Sequence, residues 1–187
     1  MEKKVYHLEY RLRGNGLTIV DTSKKEDKIK KWANIAPDSS IVLYSKNFNL
    51  YWMDKANFLK AIEDEKDTTI VENQWTKDGV EYYGYGGGSR GQNNETKEEK
   101  KDDRKGVYGI WTRDSNKFIY QRSDSRHIND LWVINSISKK RPTLETYKYH
   151  MPGEQEYYKS ELQVFDISTK EVINVKLDTS KQQSINV

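Results

Sequence analysis

The hydrophobic positions of this chain fall into short alternating runs separated by turn residues, and two of these runs are worded alike. Residues 32–54 read WANIAPDSSIVLYSKNFNLYWMD, and residues 108–135 read YGIWTRDSNKFIYQRSDSRHINDLWVIN. Each opens on an aromatic residue (Trp32, Tyr108) and reaches Asp-Ser six residues later (Asp38-Ser39, Asp114-Ser115). An alternating apolar strand follows, ending in Tyr44 or Tyr120, and then a second strand ending in Asp54 or Asn135. A weaker echo closes with Leu162-Gln163-Val164-Phe165-Asp166. One strand–turn–strand unit cannot bury its own apolar face, so the repetition predicts sheets stacked as propeller blades.

The remaining pattern is also mostly that of strands. Residues 5–20 alternate as one or two strands about a Gly14-Asn15-Gly16 turn. Residues 21–31 are charged and predict a loop. Pro37-Asp38-Ser39 predicts a turn between two strands in Ala33 to Tyr44, because proline presets φ and aspartate caps the turn with its own side chain. Lys55 to Asp64 has helical spacing through Phe58, Leu59 and Ile62 but is short enough to predict a single turn or loop. Thr68 to Val71 is β-branched and predicts a strand, and Val80 to Tyr85 the start of an outer one. Thr143 to Tyr149 alternates as a strand, and Leu162 to Asp166 with Glu171 to Leu177 predict a hairpin across Ser168-Thr169-Lys170. The last ten residues are expected to fray.

Residues 86–106, GGGSRGQNNETKEEKKDDRKG, contain no large apolar side chain. Such a segment buries too little area to offset the entropy of ordering it, which predicts a mobile polar insertion on one face. With helical signal nearly absent, the expected fold is all-β: a partial, open β-propeller of about three blades of antiparallel sheet, with a β-sandwich as the other architecture such strands allow.

Composition narrows the function classes. The 187 residues are 34% hydrophobic and 33% charged, so the core is thin, and 13 Tyr, 5 Trp and 4 Phe supply much of it. Net charge is only +3 with both signs interspersed, giving no basic stripe for nucleic acid. The absence of cysteine excludes disulfides, zinc–thiolate sites and cysteine nucleophiles. No apolar run approaches membrane-spanning length. The opening MEKKVYHLEYRLRG lacks the apolar stretch of a signal peptide. A chain that opens directly on an alternating strand is expected to be cut from a longer protein, with Met1 as an added start.

Candidate chemistry is sparse. Gly87-Gly88-Ser89-Arg90-Gly91 fits G-x-S-x-G, and Gly86, Gly88 and Gly91 fit G-x-G-x-x-G. Both motifs need a buried strand before them and a helix after, and a polyampholyte run follows instead, which predicts a linker. His7, His127 and His150 stand at no metal-ligand spacing and predict surface or turn residues. Glu81, beside Tyr82-Tyr83, predicts a strand-surface residue. The pairs Glu98-Glu99 and Asp102-Asp103 lie among lysines and are expected to be solvated, although adjacent carboxylates can also hold an ammonium group. Tyr147, Tyr149, Tyr157 and Tyr158 predict either packing between blades or a contact surface. No catalytic residue, metal ligand or cofactor follows from the residues.

The order W-x5-D-S, alternating strand, N-L-Y-W-M-D, then TTIVENQWTKDGVEYY resembles the N-terminal propeller of dipeptidyl peptidase IV. Gly109 to Ser115 is similar to that family's W-S-P-D-G/S turn, and LWVINSISKKRPTLETYKYHMPGEQEYYKSELQVFDI resembles the segment where one blade ends and the next begins. RPTLETYKYHMPGE is similar to Bacteroidetes-type members. The resemblance covers about residues 31–177 and implies that residues 1–187 are a piece of such a propeller domain. It further implies a periplasmic, secreted or envelope-associated parent, a serine-type dipeptidyl peptidase. The family's Ser, Asp and His lie on a C-terminal α/β-hydrolase domain, so this chain alone is expected not to hydrolyse anything. Its expected share is to gate and recognise peptide substrates and to support dimer contacts, with the hydrolase domain, peptides and a second copy as partners. In the family a Glu pair on a short helix binds the substrate's free N-terminus. The adjacent Glu pair between Tyr85 and Val107 is Glu98-Glu99, without the family's D-W-x-Y-E-E-E wording. Two other readings stand beside this one: a free-standing protein- or glycan-binding module, and an enzyme using Ser89.

Overall fold

A computed structural model describes residues 8–13, 16–21, 30–86, 94–138 and 141–176. The chain divides into two units, residues 1–30 and 31–187. In the first, the alternation at 5–20 forms a hairpin of β1 (Leu8–Arg13) and β2 (Gly16–Asp21), with Arg13 opposite Gly16. Gly14 and Asn15 of its expected turn lie outside the described residues.

The second unit runs through β3 (Asn34–Ile35), β4 (Ile41–Lys46), β5 (Asn49–Asp54), α1 (Lys55–Glu63), β6 (Asn73–Gln74), α2 (Asn94–Glu99), β7 (Gly109–Trp111), β8 (Lys117–Asp124), β9 (Asp130–Asn135), β10 (Thr143–Lys148), β11 (Lys159–Asp166) and β12 (Val172–Val175). Two four-stranded antiparallel sheets result, β3-β4-β5-β6 and β7-β8-β11-β12, each with the meander order of a propeller blade. β9 and β10 form a separate hairpin. The fold is all-β, open and propeller-like, with no closed sheet among the described residues.

The worded repeat is a structural repeat, with one change of partner. In each blade the Asp-Ser turn links the first two strands. Ser39 and Ser115 both have φ 58°, and both backbone N–H groups donate back across the turn, to Ala36 O at 2.8 Å and Thr112 O at 3.0 Å. Asp38 and Asp114 each accept the N–H two residues on, from Ser40 at 3.0 Å and Asn116 at 3.2 Å. The two turns also touch, because Asp38 N donates to Ser115 Oγ at 3.0 Å. The third strand of the second blade is not β9, the counterpart by wording. It is β11, which contains the weaker echo and pairs with β8 from Lys117–Asp166 to Asp124–Lys159. Residues 125–158 are therefore an excursion between two neighbouring strands.

The blades share one core. Ile41, Leu43 and Leu50 of the first meet Phe118, Tyr120 and Phe165 of the second, with Tyr85 and Val107 from the connecting segment. Trp75 lies edge-on to Phe165 with ring centres 5.4 Å apart. β4 is buried on both faces, which is why it reads as the continuous apolar run Ile41 to Tyr44. Its other face, Val42 and Tyr44, packs with Trp32, Met53 and the buried Phe58 and Ala61 of α1.

Three local expectations are corrected. Within Lys55 to Asp64, Lys55–Glu63 is a nine-residue helix, because Asp54 at the end of β5 caps it by accepting Asn57 N at 2.8 Å. Thr68 to Val71 is not a strand, because side chains take its amides: Asp67 accepts from Thr69 N, and Asn57 from Val71 N. Val80 to Tyr85 does not extend as an outer strand but folds into a tight turn closed by hydrogen bonds between Val80 and Tyr83. Of the polar stretch 86–106, residues 87–93 lie outside the described residues, and residues 94–106 make polar contacts with the first sheet and the segment after α1. Lys105 exchanges both backbone hydrogen bonds with Ser45 at 2.8 Å, Asn47 N donates to Lys101 O, and Arg104 pairs with Glu72 at 2.7 Å.

Candidate functional site

Two bulky aromatic residues of this unit are held at positive φ, and they stand on the same cleft. Phe48 (φ 64°) follows Asn47 (φ 45°) in the two-residue turn between β4 and β5, where the twist of paired strands calls for left-handed backbone. Tyr82 (φ 66°) sits in the turn of residues 80–83. Such conformations cost of order 1–3 kcal/mol for side chains of this size and concentrate at functional sites. The surroundings accommodate Phe48: its carbonyl accepts Tyr85 N at 2.8 Å, and a Cβ on Gly79 would come within 2.1 Å of that carbonyl oxygen.

The cleft has a volume of about 570 Å³. Six tyrosines line it (Tyr82, Tyr85, Tyr108, Tyr120, Tyr147 and Tyr158), and Phe48 joins them. Four segments set these rings: β8 provides Tyr120, the β9–β10 excursion Tyr147 and Tyr158, the connection after β6 Tyr82 and Tyr85, and the residue before β7 Tyr108. Several hydroxyls are tied down, Tyr82 to Thr146 O at 3.1 Å and Tyr158 to Lys148 O at 3.2 Å, so the rings present fixed faces. Burial pushes the Tyr85 hydroxyl up to about 12 and raises those of Tyr82 and Tyr120, so all three are neutral at physiological pH; Tyr82 and Tyr85 donate, and Tyr120 Oη accepts Gly86 N at 3.0 Å.

Lys97, Lys105 and Lys148 also line the cleft, and no aspartate or glutamate does among the described residues. Lys97 pairs with Glu81 at 3.0 Å and Lys148 with Asp130 at 2.9 Å, both carboxylates lying outside this lining. The two ammonium groups stand 5.7 and 5.6 Å from the Tyr82 ring centre. Burial works against the charge of Lys97, but its hydrogen bond and charge contact with Glu81 outweigh burial and raise its pKa. A second cleft of about 690 Å³ adjoins the first, shares Phe48, Tyr82, Lys97 and Lys148 with it, and adds Glu81, Glu98 and Arg126.

Beside the cleft, Arg122 is fully buried. Its guanidinium lies 3.3 Å from the Tyr83 ring centre, reaches Asp78 Oδ2 at 2.5 Å, and donates to the carbonyls of Asp78 at 3.1 Å and Tyr83 at 2.8 Å. It also donates to Tyr85 Oη at 3.2 Å, which fixes one wall of the cleft to β8. Phe118, Tyr120 and Arg122 share one strand parity, so an arginine on the inward face was the readable signal for this latch.

The residues singled out in the sequence scatter. Glu98 and Glu99 are neighbouring exposed residues of α2, and Glu98 pairs with Lys101. Glu81 is the partner of Lys97, and Asp102 and Asp103 are exposed. His127 and His150 each bond a backbone carbonyl, of Tyr157 at 2.6 Å and Glu154 at 3.0 Å. Tyr147 and Tyr158 enter the cleft, whereas Tyr149 is exposed outside its lining. His7, Ser89 and the glycines Gly87, Gly88 and Gly91 lie outside the described residues. Among the described residues no three His, Cys, Asp or Glu side chains gather as a metal site, and no helix is long and apolar enough to cross a membrane.

No family model matches the chain, and no curated protein matches its sequence. Its architecture does have a counterpart in a crystal structure of Porphyromonas gingivalis dipeptidyl peptidase 4. The two are similar over 87% of this chain, with a TM-score of 0.54 and 18% identity. The chain shares the fold of part of that enzyme. The matched part is 19% of that protein, so this chain spans about a fifth of its length. At this identity the likeness is one of fold.

Proposed function

We propose that this chain is a non-catalytic propeller segment of a dipeptidyl peptidase IV-like serine exopeptidase. It gates and recognises peptide substrates, and a C-terminal α/β-hydrolase domain of the same parent cuts them. The observation that carries the reading is the joining of blade-like sheets, similar in fold to part of a dipeptidyl peptidase, to a rigid tyrosine-walled cleft. Concave aromatic surfaces with a few placed polar groups are the usual form of a recognition site. Glu98 and Glu99 are the proposed holders of a substrate amine, and Glu98 lines the adjoining cleft.

Self-association belongs to the same proposal. The β9–β10 hairpin exposes Trp132, Ile134 and Leu144, and cross-strand pairing puts Ile134 opposite Leu144 on one face. A second copy is the expected cover for that face.

The test is to assay the purified chain against chromogenic Xaa-Pro dipeptides. No product is expected, and turnover that survives purification would refute the non-catalytic assignment. The parent is tested by the coding sequence past Val187, where an α/β-hydrolase domain with Ser, Asp and His is expected. A stop codon there would favour the second reading, a free-standing protein- or glycan-binding module, which the tyrosine-walled cleft also supports.

A further inference from the structure

We infer that the tyrosine-walled cleft recognises a carboxylate on an extended peptide, with Lys105 as its principal partner and Lys97 and Lys148 as flanking charges. This deepens the reading of the chain as a peptide-recognition surface and rests on it.

Three observations lead there. The first is charge: three lysines line the cleft while no aspartate or glutamate does among the described residues. Lys97 and Lys148 have their counter-charges in Glu81 and Asp130. Lys105 has no ion-pair partner among the described residues, although its backbone is fixed to Ser45 by two hydrogen bonds. It is a cation on an anchored backbone, in the lining of a cleft whose other walls are largely tyrosine. An anion there would complete a charge-assisted contact in a partly desolvated site, where such contacts are strongest.

The second is shape. Flat tyrosine faces with fixed hydroxyls suit prolyl or aromatic rings of an extended chain, because such a chain has little conformational freedom left to lose. The third is strain: Phe48 and Tyr82 hold positive φ at the rim of this same cleft. Outliers of this kind persist where a fixed side-chain position is needed.

A side-chain carboxylate and a chain-end carboxylate offer the same chemistry, and the experiment separates them. The 187-residue chain is titrated calorimetrically with four forms of one peptide. The first is Ala-Pro-Glu-Pro-Ala blocked at both ends. The second replaces Glu by Gln. The third is the Gln peptide with a free C-terminal acid, and the fourth is the Gln peptide with a free N-terminal amine. One well-formed ionic hydrogen bond predicts about tenfold tighter binding of the form carrying the recognised acid than of the blocked Gln peptide. Lys105→Gln should remove that preference and leave the Gln peptide unaffected. The preference should also shrink with added salt, which tests the charge without any variant.

Equal affinity for the acid and blocked Gln forms would overturn the inference, as would a preference that Lys105→Gln leaves intact. A gain confined to the free-amine form would overturn it while supporting peptide recognition through an amine. Failure of all four forms to bind would overturn peptide recognition as well.

Discussion

If the two blades share one core, Trp75 and Phe165 should be energetically coupled although they belong to different blades. Phe165 is fully buried, with its ring 5.4 Å from Trp75 at 81°, 6.0 Å from Tyr85 at 77° and 6.3 Å from Phe118. Truncating a buried phenylalanine to alanine costs about 3–5 kcal/mol, a large part of the 5–15 kcal/mol that holds a typical domain together. Phe165→Leu is the gentler perturbation and keeps the fold measurable. An edge-to-face aromatic pair contributes about 0.5–1.5 kcal/mol beyond its buried area. A cycle of Phe165→Leu, Trp75→Leu and the double variant should therefore show coupling of about 1 kcal/mol. Urea unfolding followed by far-ultraviolet circular dichroism supplies the four free energies. Coupling below about 0.3 kcal/mol is the additivity expected of independent sites, and would show that the blades do not meet at this pair.

Three further outcomes follow from named contacts. Arg122→Met should destabilise by about 2–4 kcal/mol, since it removes the donor to the Asp78 carbonyl and one of the two donors to the Tyr83 carbonyl, whereas Asp78→Asn should cost about 1 kcal/mol or less because 57% of the Asp78 side chain is exposed. Equal losses in urea unfolding would contradict the asymmetry. Hydrogen bonds from Thr112 and Asn116 hold the Asp114 carboxyl down at about 2, and those from Lys117 and Ser168 depress Asp166 further. A depressed carboxyl stabilises the fold above its unfolded value near 4 and loses that contribution as pH falls, so the thermal midpoint should hold from pH 7 to about 5 and drop between about 4 and 2. A midpoint that rises on acidification would contradict this. Trypsin should cut slowly at Lys97 and Lys101, whose segment is bonded to Glu81 and Asn47; rapid cleavage there would show that residues 94–106 do not stay attached.

The strands were legible wherever side-chain period and turn chemistry agreed. Asp38-Ser39 and Asp114-Ser115 announced the same turn twice, and the structure builds it twice with matching hydrogen bonds. What escaped was decided by partners distant in sequence. Wording paired β8 with β9, but register pairs it with β11, because nothing local tells a strand which of two later strands will lie beside it. Asp54 read as the end of a strand and is also the cap of α1, a double role that a strand repeat conceals. Counting apolar residues could not find the attachment of residues 94–106, which rests on amides and ion pairs. The pair Glu98-Glu99 stands out through the family resemblance and by adjacency, and neither signal reaches a cleft assembled from tyrosines as far apart as Tyr82 and Tyr158. Of that cleft, the sequence singles out Tyr147 and Tyr158, for either packing between blades or a contact surface. It does not show that Phe48 and Tyr82 join them through left-handed turns.

The chain is proposed to recognise a peptide without cutting it. Titrating it with a proline-containing peptide and weighing the recovered peptide by mass spectrometry decides this. Saturable binding with the peptide intact is the predicted result. A shortened peptide, or no binding at any concentration reached, would contradict it.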